Sequence, residues 1–174
     1  MTARPDGTRH HTELLNGTLT PRPPQRSWHS RVVTALTSTL MNQAPAGMEI
    51  ERDMTLRLDS RNHLEPDLLA TPLPYDAHRT WYAPSDVRLV VEVVSPESAH
   101  RDRTVKPRAY AKAGIPHYWR VEDEKGSPVV HVYELDAPTS TYAPVTIARD
   151  SLKRPVPFPV SLDLAKLTPP LTRP

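Results

Sequence analysis

The chain is 174 residues long, which suits one domain built around one core. It contains no cysteine, which excludes disulfides, thiolate zinc sites and cysteine nucleophiles, so any metal must be held by carboxylates, carbonyls or histidines. The formal net charge is +2, a balance that permits a nucleic-acid partner but indicates one only weakly, because no basic block stands out.

The distribution of apolar residues bears on the location of the protein. No apolar run approaches the roughly 20 residues that span a bilayer, so no membrane partner is expected. Residues 1–11 are polar and lack the apolar centre of a signal peptide. We therefore expect a cytoplasmic protein with a flexible tail at residues 1–12 and a single domain at residues 13–174, in which the segment from Ser151 onward is rich in proline.

The first predicted helix follows a proline-rich connection at residues 21–24. Residues 13–19, before this connection, are typical of a strand, a turn and a short returning strand. Ser27 is available as the helix N-cap, and the helix should end before Pro45. The apolar residues that recur at helical spacing in this segment are Trp28, Val32, Val33, Leu36 and Leu40.

Two strands are predicted between this helix and the middle of the chain. Residues 49–58 alternate between apolar and polar positions, which is the pattern of a half-buried strand. Residues 64–70 form a shorter apolar stretch that contains Asp67 directly after Pro66. Residues 74–85 are expected to form a loop.

The strongest strand pattern covers residues 87–94, where β-branched residues are nearly continuous and favour burial on both faces. A helix around Tyr110 should follow and end at Gly114. Residues 118–121 and 129–135 predict two more strands. The order of elements predicts a mixed α/β (α+β) fold with a helix between strands.

Glu92 interrupts the strongest strand at a position where all its neighbours are apolar. An unpaired carboxylate in such a strand costs on the order of several kcal/mol. Glu92 must therefore be protonated, paired with a base or bound to a cation. A buried Glu–Arg pair, or an edge strand with Glu92 facing water, is the alternative that this strand alone leaves open.

Asp67 is a second carboxylate in a short apolar stretch, and by itself it would be read as a turn cap. Together with Glu92 it indicates more, because two adjacent strands could present both carboxylates side by side. A hard cation such as Mg²⁺ or Mn²⁺ binds one or two carboxylates together with water and phosphate. Such a cation polarises a phosphoryl oxygen and activates water, which predicts hydrolysis of a phosphodiester without a covalent intermediate.

Lys106 lies at the start of the helix after the Glu92 strand, where an ammonium could stabilise the charge that builds on phosphate oxygens. Tyr110 is four residues on and shares its helical face. Pro107 disfavours helical geometry at Lys106 unless the helix begins close by, with Thr104 or Asp102 as the cap. The alternative is a solvated surface lysine that pairs with Asp102.

The stretch from Asp86 to Val121 contains Asp-Val-Arg-Leu-Val-Val-Glu-Val-Val-Ser-Pro, then Arg-Asp-Arg-Thr-Val-Lys-Pro, then Tyr-Ala-Lys-Ala-Gly-Ile-Pro-His-Tyr-Trp-Arg-Val. Upstream, residues 13–17 read Glu-Leu-Leu-Asn-Gly, and Asp67 follows a proline. These motifs resemble the Uma-two family of restriction endonucleases, long known as a domain of unknown function. The family opens with Glu-Leu-x-Asp-Gly and has a similar Pro-Asp step, and the resemblance covers roughly residues 13–135.

The resemblance implies a restriction-endonuclease-like fold of the PD-(D/E)xK nuclease superfamily, with a mixed central β-sheet flanked by helices in the order αβββαβ. It implies that Asp67 and Glu92 bind the metal and that Lys106 is the catalytic lysine. The usual superfamily lysine lies two residues after the acid, where this chain has Val94. The family draws its lysine from the next helix instead. Glu13, His29 and Tyr110 are auxiliary candidates, and a purely structural role is the alternative for Glu13 and His29.

The expected function is therefore that of a Mg²⁺- or Mn²⁺-dependent endonuclease with DNA as its substrate. A homodimer would supply two sites for the two strands of a duplex. Three alternatives remain open: an inactive nucleic-acid or protein binding module on the same fold, a metal-dependent hydrolase of another substrate, and a structural interaction protein.

Overall fold

A computed structural model of the chain describes residues 11–168. A π-helical turn at Arg101–Val105 leads directly into the second helix, and short 3-10 turns lie at Pro84–Asp86 and Leu164–Lys166. The helices and strands of the described part are, in chain order, β1 (Thr12–Leu15), β2 (Thr18–Pro21), α1 (Ser27–Gln43), β3 (Glu49–Arg52), β4 (Thr55–Asp59), β5 (Asn62–Leu64), β6 (Leu68–Thr71), β7 (Trp81–Tyr82), β8 (Leu89–Val93), α2 (Lys106–Lys112), β9 (His117–Glu124), β10 (Ser127–Asp136), β11 (Thr141–Ala148), β12 (Ser151–Arg154) and β13 (Val160–Asp163).

The central sheet has six strands in the order β11-β10-β9-β8-β6-β3. Its neighbouring strands are antiparallel except for β8 and β9, which are parallel. Two parallel neighbours require a crossover connection, and α2 provides it. The strands of this sheet and the two helices follow one another along the chain in the order α1, β3, β6, β8, α2 and β9. This order confirms the predicted αβββαβ core.

Both faces of the central sheet are covered. On one face, α1 and the β12–β13 hairpin pack against a cluster that includes Leu36 and Val91. On the other face, α2 and the second sheet pack against a cluster that includes Val90 and Tyr110. Side chains alternate along a strand, so Glu92 projects to the same side as Val90, toward α2.

The second sheet has five strands in the order β2-β1-β5-β4-β7. Its β1 strand pairs with β5 through Leu14 and His63. His63 lies near the end of β5, after which the chain continues into the central sheet. This placement brings Glu13 of β1 into the interior, where its side chain is buried.

Two of the predicted strands are each divided between the two sheets. Residues 49–58 form β3 and β4 rather than one strand, because Asp53 adopts a left-handed conformation with φ of 52° and reverses the local path. Residues 64–70 likewise contain the end of β5 and the start of β6, and Asp67 lies in the short link between them. The expected single strands were therefore wrong.

Other boundaries also differ from the predictions. Ser27 is the first helical residue of α1 rather than its cap, and the preceding Arg26 makes no side-chain cap hydrogen bond. The predicted loop at 74–85 contains β7, and the proline-rich segment after Ser151 contains the β12–β13 hairpin. Of the predicted tail, residues 1–10 lie outside the described residues, and β1 begins at Thr12. No helix within residues 11–168 is long and apolar enough to cross a bilayer.

The packing of α1 can be tested at Leu36, which is fully buried. Leu36→Ala removes apolar contacts and leaves a cavity, so we expect the free energy of unfolding to fall by about 2–5 kcal/mol in urea denaturation followed by circular dichroism. Leu19→Ala is the control, because Leu19 is 64% exposed, and it should change the free energy by about 0.5 kcal/mol or less. Equal losses would contradict the placement of α1 in the core.

Candidate active site

Asp67 and Glu92 enter one site from neighbouring strands. The β6–β8 register pairs Leu68 with Val91, so Asp67 stands opposite Glu92 one step beyond the last paired residues. Each of these two acids is only 2% exposed. The backbone N–H of Val93 donates a hydrogen bond to Asp67 Oδ2 at 2.7 Å, which ties the link before β6 to β8. The prediction that these two segments are neighbours is confirmed.

The Lys106 ammonium lies among three carboxylates. Its Nζ is 3.1 and 3.2 Å from the two oxygens of Glu92, 2.9 Å from Glu13 Oε1 and 3.5 Å from Asp102 Oδ1. The residue is only 3% exposed. The alternative of a solvated surface lysine was therefore wrong, although its predicted contact with Asp102 exists inside the site.

The π-helical turn before α2 positions this lysine. The backbone N–H of Lys106 donates to the carbonyl of Arg101, a wider spacing than in an α-helix. Lys106 has φ of −61° and ψ of −45°, so it is helical even though Pro107 follows it. Pro107 is the second residue of α2, where a missing N–H is tolerated. Neither of the two predicted caps is formed: the side chain of Asp102 faces Lys106, and the hydroxyl of Thr104 donates to the carbonyl of His100.

Tyr110 and Glu13 complete the surroundings of Glu92 and Lys106. The hydroxyl of Tyr110 donates to Glu92 Oε1 at 2.6 Å, and the ring is fully buried. Glu13 Oε1, besides contacting Lys106, accepts the backbone N–H of Glu65 at 2.9 Å. Two of the three predicted auxiliary residues, Tyr110 and Glu13, therefore contact Glu92 or Lys106 directly.

Asp67 has cationic and polar partners of its own. Arg22 Nη2 lies 2.7 Å from Asp67 Oδ1, and the same guanidinium reaches Asp53 at 3.2 Å. His29, on the first turn of α1, places Nε2 3.2 Å from Asp67 Oδ2. All six predicted residues thus lie in one cluster. Arg22 was not predicted. The only sequence signal for it is that a buried Asp67 needs a positively charged partner, and this does not identify which residue is the partner.

Asp102 was considered only as a helix cap or surface partner, yet it is part of the cluster. Its Oδ2 accepts a hydrogen bond from the hydroxyl of Ser98, and its backbone carbonyl accepts one from Tyr118 at 2.6 Å. Its Oδ1 is buried without a hydrogen-bond partner in the described part of the chain. The four-residue spacing to Lys106 was the sequence signal that placed Asp102 on the same helical face.

The cluster surrounds a small pocket of about 10 Å³, which has room for roughly one water molecule or one small cation. Arg101 also lines this pocket, and its Nε is buried without a hydrogen-bond partner within residues 11–168. The side chains of Arg22, His29 and Gln25 stand between this pocket and a larger one of about 350 Å³ that they also line.

Negative charge exceeds positive charge among the ion-paired groups. Four buried carboxylates contact Lys106 or Arg22, and Arg101 is a third cationic side chain in the lining of the pocket. These groups leave a formal excess of one negative charge when every acid is ionised and His29 is neutral. Burial raises the pKa of Glu92 well above its usual value, and neighbouring acids raise it further against the opposing effect of Lys106. Burial likewise raises the pKa of Asp102.

Asp67 and Lys106, in contrast, favour their charged forms. Burial is the largest influence on Asp67 and opposes ionisation, but the contacts from His29 and Arg22 together lower the pKa of Asp67. Burial also opposes the charge on Lys106, yet the surrounding carboxylates outweigh it and raise the pKa of Lys106. One fully charged ammonium is therefore shared by carboxylates that cannot all ionise at low cost.

The donor set matches a hard divalent cation in ligand type and in the sign of its excess charge. Its groups are carboxylate oxygens, and one of them, Asp102 Oδ1, accepts no hydrogen bond within the described residues. Within the described residues, no three His, Asp or Glu side chains already form a metal site. A cation would therefore have to replace Arg22 at Asp67 or Lys106 at Glu92.

An αβββαβ core with two acids on neighbouring elements and a buried lysine defines a restriction-endonuclease-like protein. Residues 1–167 match the model of the Uma2 family, described as "Putative restriction endonuclease", and the chain belongs to this family. A crystal structure of a "putative nuclease belonging to DUF820" from Anabaena variabilis ATCC 29413 is similar, with a TM-score of 0.70 and 16% identity over 92% of this chain and 90% of that chain. This likeness shows the fold. No curated protein matches the chain.

The buried ion pair can be tested with a double-mutant cycle on Lys106 and Glu92, measured by urea unfolding with EDTA present. Lys106→Met leaves buried carboxylates without their ammonium and should lower the free energy of unfolding by about 3–5 kcal/mol. Adding Glu92→Gln should cost less than the sum of the single changes, with a coupling of about 0.5–3 kcal/mol.

The exposed pair of Lys166 and Asp163, with nitrogen and oxygen 3.4 Å apart, is the matched control. The corresponding changes, Lys166→Met and Asp163→Asn, should be nearly additive because solvent screens both charges. A coupling at Lys106 and Glu92 as small as at this surface pair would contradict the interaction described here.

Proposed function

We propose that the protein is a cytoplasmic Mg²⁺- or Mn²⁺-dependent endonuclease that hydrolyses phosphodiester bonds of DNA. Asp67 and Glu92 are the proposed metal ligands and Lys106 the proposed catalytic lysine. The observation that carries the proposal is the buried cluster in which carboxylates outnumber cations, because such a cluster favours a divalent cation. Membership of the Uma2 family supports the reaction class.

Hydrolysis forms one bond between phosphorus and a water oxygen and breaks one bond between phosphorus and a sugar oxygen. Negative charge increases on the phosphate oxygens during this exchange. When bound, the divalent cation would supply Lewis-acid activation of the phosphate and the attacking water. Lys106 remains charged next to the acids and can stabilise the phosphate oxygens, while Tyr110 orients Glu92 through its hydrogen bond.

Arg22 has a distinct part in this proposal. Its guanidinium contacts Asp67 Oδ1, and this contact must break before that oxygen can bind a metal. Arg22 follows β2 directly and lies outside any helix or strand, so its side chain can leave Asp67 without breaking backbone pairing. The 350 Å³ pocket that Arg22 also lines is the proposed path for the phosphate backbone. A homodimer would present two such sites to a duplex.

A second candidate function is a binding module that keeps the fold without the reaction. The observation that favours it is the completeness of the internal contacts. Both oxygens of Asp67 already have protein partners, and both oxygens of Glu92 contact Lys106. In this case the cluster would hold β1, β8 and α2 together, and it would bind no metal.

Metal binding separates these two functions, and isothermal titration with Mn²⁺ together with thermal melting measures it. We expect the wild type to gain about 2.7 kcal/mol of stability at a hundredfold excess of metal over its Kd. Asp67→Asn and Glu92→Gln should abolish the effect, because each removes a charged ligand. Arg22→Gln should tighten metal binding, since the competing cation is gone.

Glu124→Gln is the matched control for the loss of an acid, because Glu124 is exposed and paired with Arg149 outside the site. It should bind Mn²⁺ like the wild type. Equal melting shifts in the wild type and Glu92→Gln would rule out the proposed metal ligands and leave the binding module as the better function.

Cleavage tests the role of Lys106, measured as nicking of supercoiled plasmid with Mn²⁺. We expect Lys106→Ala to be slower by about 10²–10³-fold, the usual cost of lost electrostatic stabilisation. Lys106→Arg should not fully restore the rate, because a planar guanidinium does not replace a compact ammonium. Asp67→Asn should be inactive.

Circular dichroism at the assay temperature must first show that each variant is folded, because Lys106 is buried. Lys112→Ala on the exposed side of α2 is the control and should cut at the wild-type rate. Wild-type rates for Lys106→Ala with an inactive Asp67→Asn would refute the lysine assignment alone. Failure of the wild type to cut DNA or RNA would favour the binding module.

A further inference from the structure

A second pocket, separate from the acidic cluster, lies between α2 and the β9–β11 end of the central sheet. Its volume is about 310 Å³, and it shares no lining residue with the acidic pocket. Its polar lining includes three arginines, Arg103, Arg108 and Arg120, and its aromatic lining includes Tyr133 and Tyr142. We call it the arginine–tyrosine pocket.

The arginines of this pocket carry more charge than the neighbouring acid neutralises. Arg103 contacts both oxygens of Glu122, and Arg120 Nε lies 2.6 Å from Glu122 Oε1. Arg108 is exposed and has no ion pair among the described residues. Three guanidinium groups therefore face one carboxylate, which leaves a surplus that suits a phosphate, and guanidinium groups bind phosphate oxygens in pairs.

The aromatic wall is a row of three tyrosine rings. Tyr118 lies between the others, with its ring centroid 5.7 Å from that of Tyr133 and 5.4 Å from that of Tyr142, the latter stacked at 21°. The hydroxyl of Tyr142 donates to the carbonyl of Ile115 at 2.9 Å, which fixes the ring. Tyr133 and Tyr142 are partly exposed, so they present aromatic surface to a ligand.

We propose that the arginine–tyrosine pocket binds a nucleotide unit, with its phosphate on the arginines and its base against the tyrosine wall. Cationic side chains beside aromatic rings are the combination that binds a phosphate together with an unpaired base. The unit can be a free nucleotide or part of a single nucleic-acid strand, and only the second source rests on the proposed function.

The π-helical turn connects this pocket to the acidic cluster. Asp102 contacts Lys106 in the cluster, whereas the adjacent Arg103 lines the arginine–tyrosine pocket. Tyr118, in the aromatic row, donates its hydroxyl hydrogen bond to the backbone carbonyl of Asp102. A nucleotide in the pocket would therefore contact the turn that directly precedes and positions the proposed catalytic lysine.

Isothermal titration of the full chain in EDTA tests the proposal with three probes: thymidine 5′-monophosphate, a short oligothymidylate and inorganic phosphate. We expect both thymidine ligands to bind more tightly than phosphate. Arg108→Gln should weaken their binding by about tenfold or more, because it removes a charged hydrogen-bond donor. Tyr142→Leu should weaken it by about 5- to 100-fold, and Tyr142→Phe should retain it because the ring remains.

Lys153→Gln is the control for loss of a positive charge, because Lys153 is exposed on β12 in the hairpin that covers the opposite face of the sheet. It should bind like the wild type. Absence of binding by both thymidine ligands, equal affinity in Arg108→Gln and the wild type, or phosphate binding as tightly as the nucleotide would each overturn the proposal.

The two ligand sources give different results that both support a nucleotide site. Much tighter binding of the oligothymidylate than of the monophosphate would identify a nucleic-acid strand as the ligand, and equal binding per site would identify a free nucleotide. Because EDTA is present and cleavage is not measured, failure of the proposed nuclease function would leave this result unchanged, and the converse also holds.

Discussion

The interaction on which the rest of the structure depends is the sharing of one lysine ammonium by three buried carboxylates. Lys106 brings together Glu13 from the second sheet, Glu92 from the central sheet and Asp102 from its own helical turn. These elements are distant in sequence, so the network sets how the two sheets and α2 meet. Buried ion pairs of this kind cost much desolvation energy and are weak evidence for stability alone. The proposed function gives these ion pairs a chemical use in addition to their structural one.

The same network explains why the site favours additional positive charge. Lys106 can neutralise one carboxylate, and Arg22 compensates Asp67 from a segment that belongs to no helix or strand. The remaining excess appears as the raised pKa of Glu92, whose ionised form is disfavoured by burial and by its acidic neighbours. A divalent cation would remove this excess, and in the proposed function Arg22 holds its place until it binds.

Part of this arrangement could be predicted from local sequence, and part could not. The 3.6-residue spacing in α1 and the apolar run around Glu92 report local burial, and both elements were predicted correctly. The break at Asp53 was missed because alternation continues through a left-handed residue, so one pattern covered two sheets. The strand β11 is largely exposed at a sheet edge and has little apolar alternation to detect. Arg22 acts through a contact 45 residues away, which no local pattern encodes.

The two pockets have opposite charge, and adjacent residues of the π-helical turn line them: Asp102 lines the acidic pocket and Arg103 lines the arginine–tyrosine pocket. A cluster with excess negative charge repels a phosphodiester until a cation neutralises it, so it cannot attract nucleic acid by itself. The chain has a formal net charge of only +2, which leaves little general attraction to a polyanion. If both proposals hold, the positive charge that attracts the ligand lies in the arginine–tyrosine pocket, where Arg103, Arg108 and Arg120 outnumber Glu122. Arg103 directly follows Asp102, so attraction of the ligand and chemistry on it would occur side by side without the opposite charges cancelling.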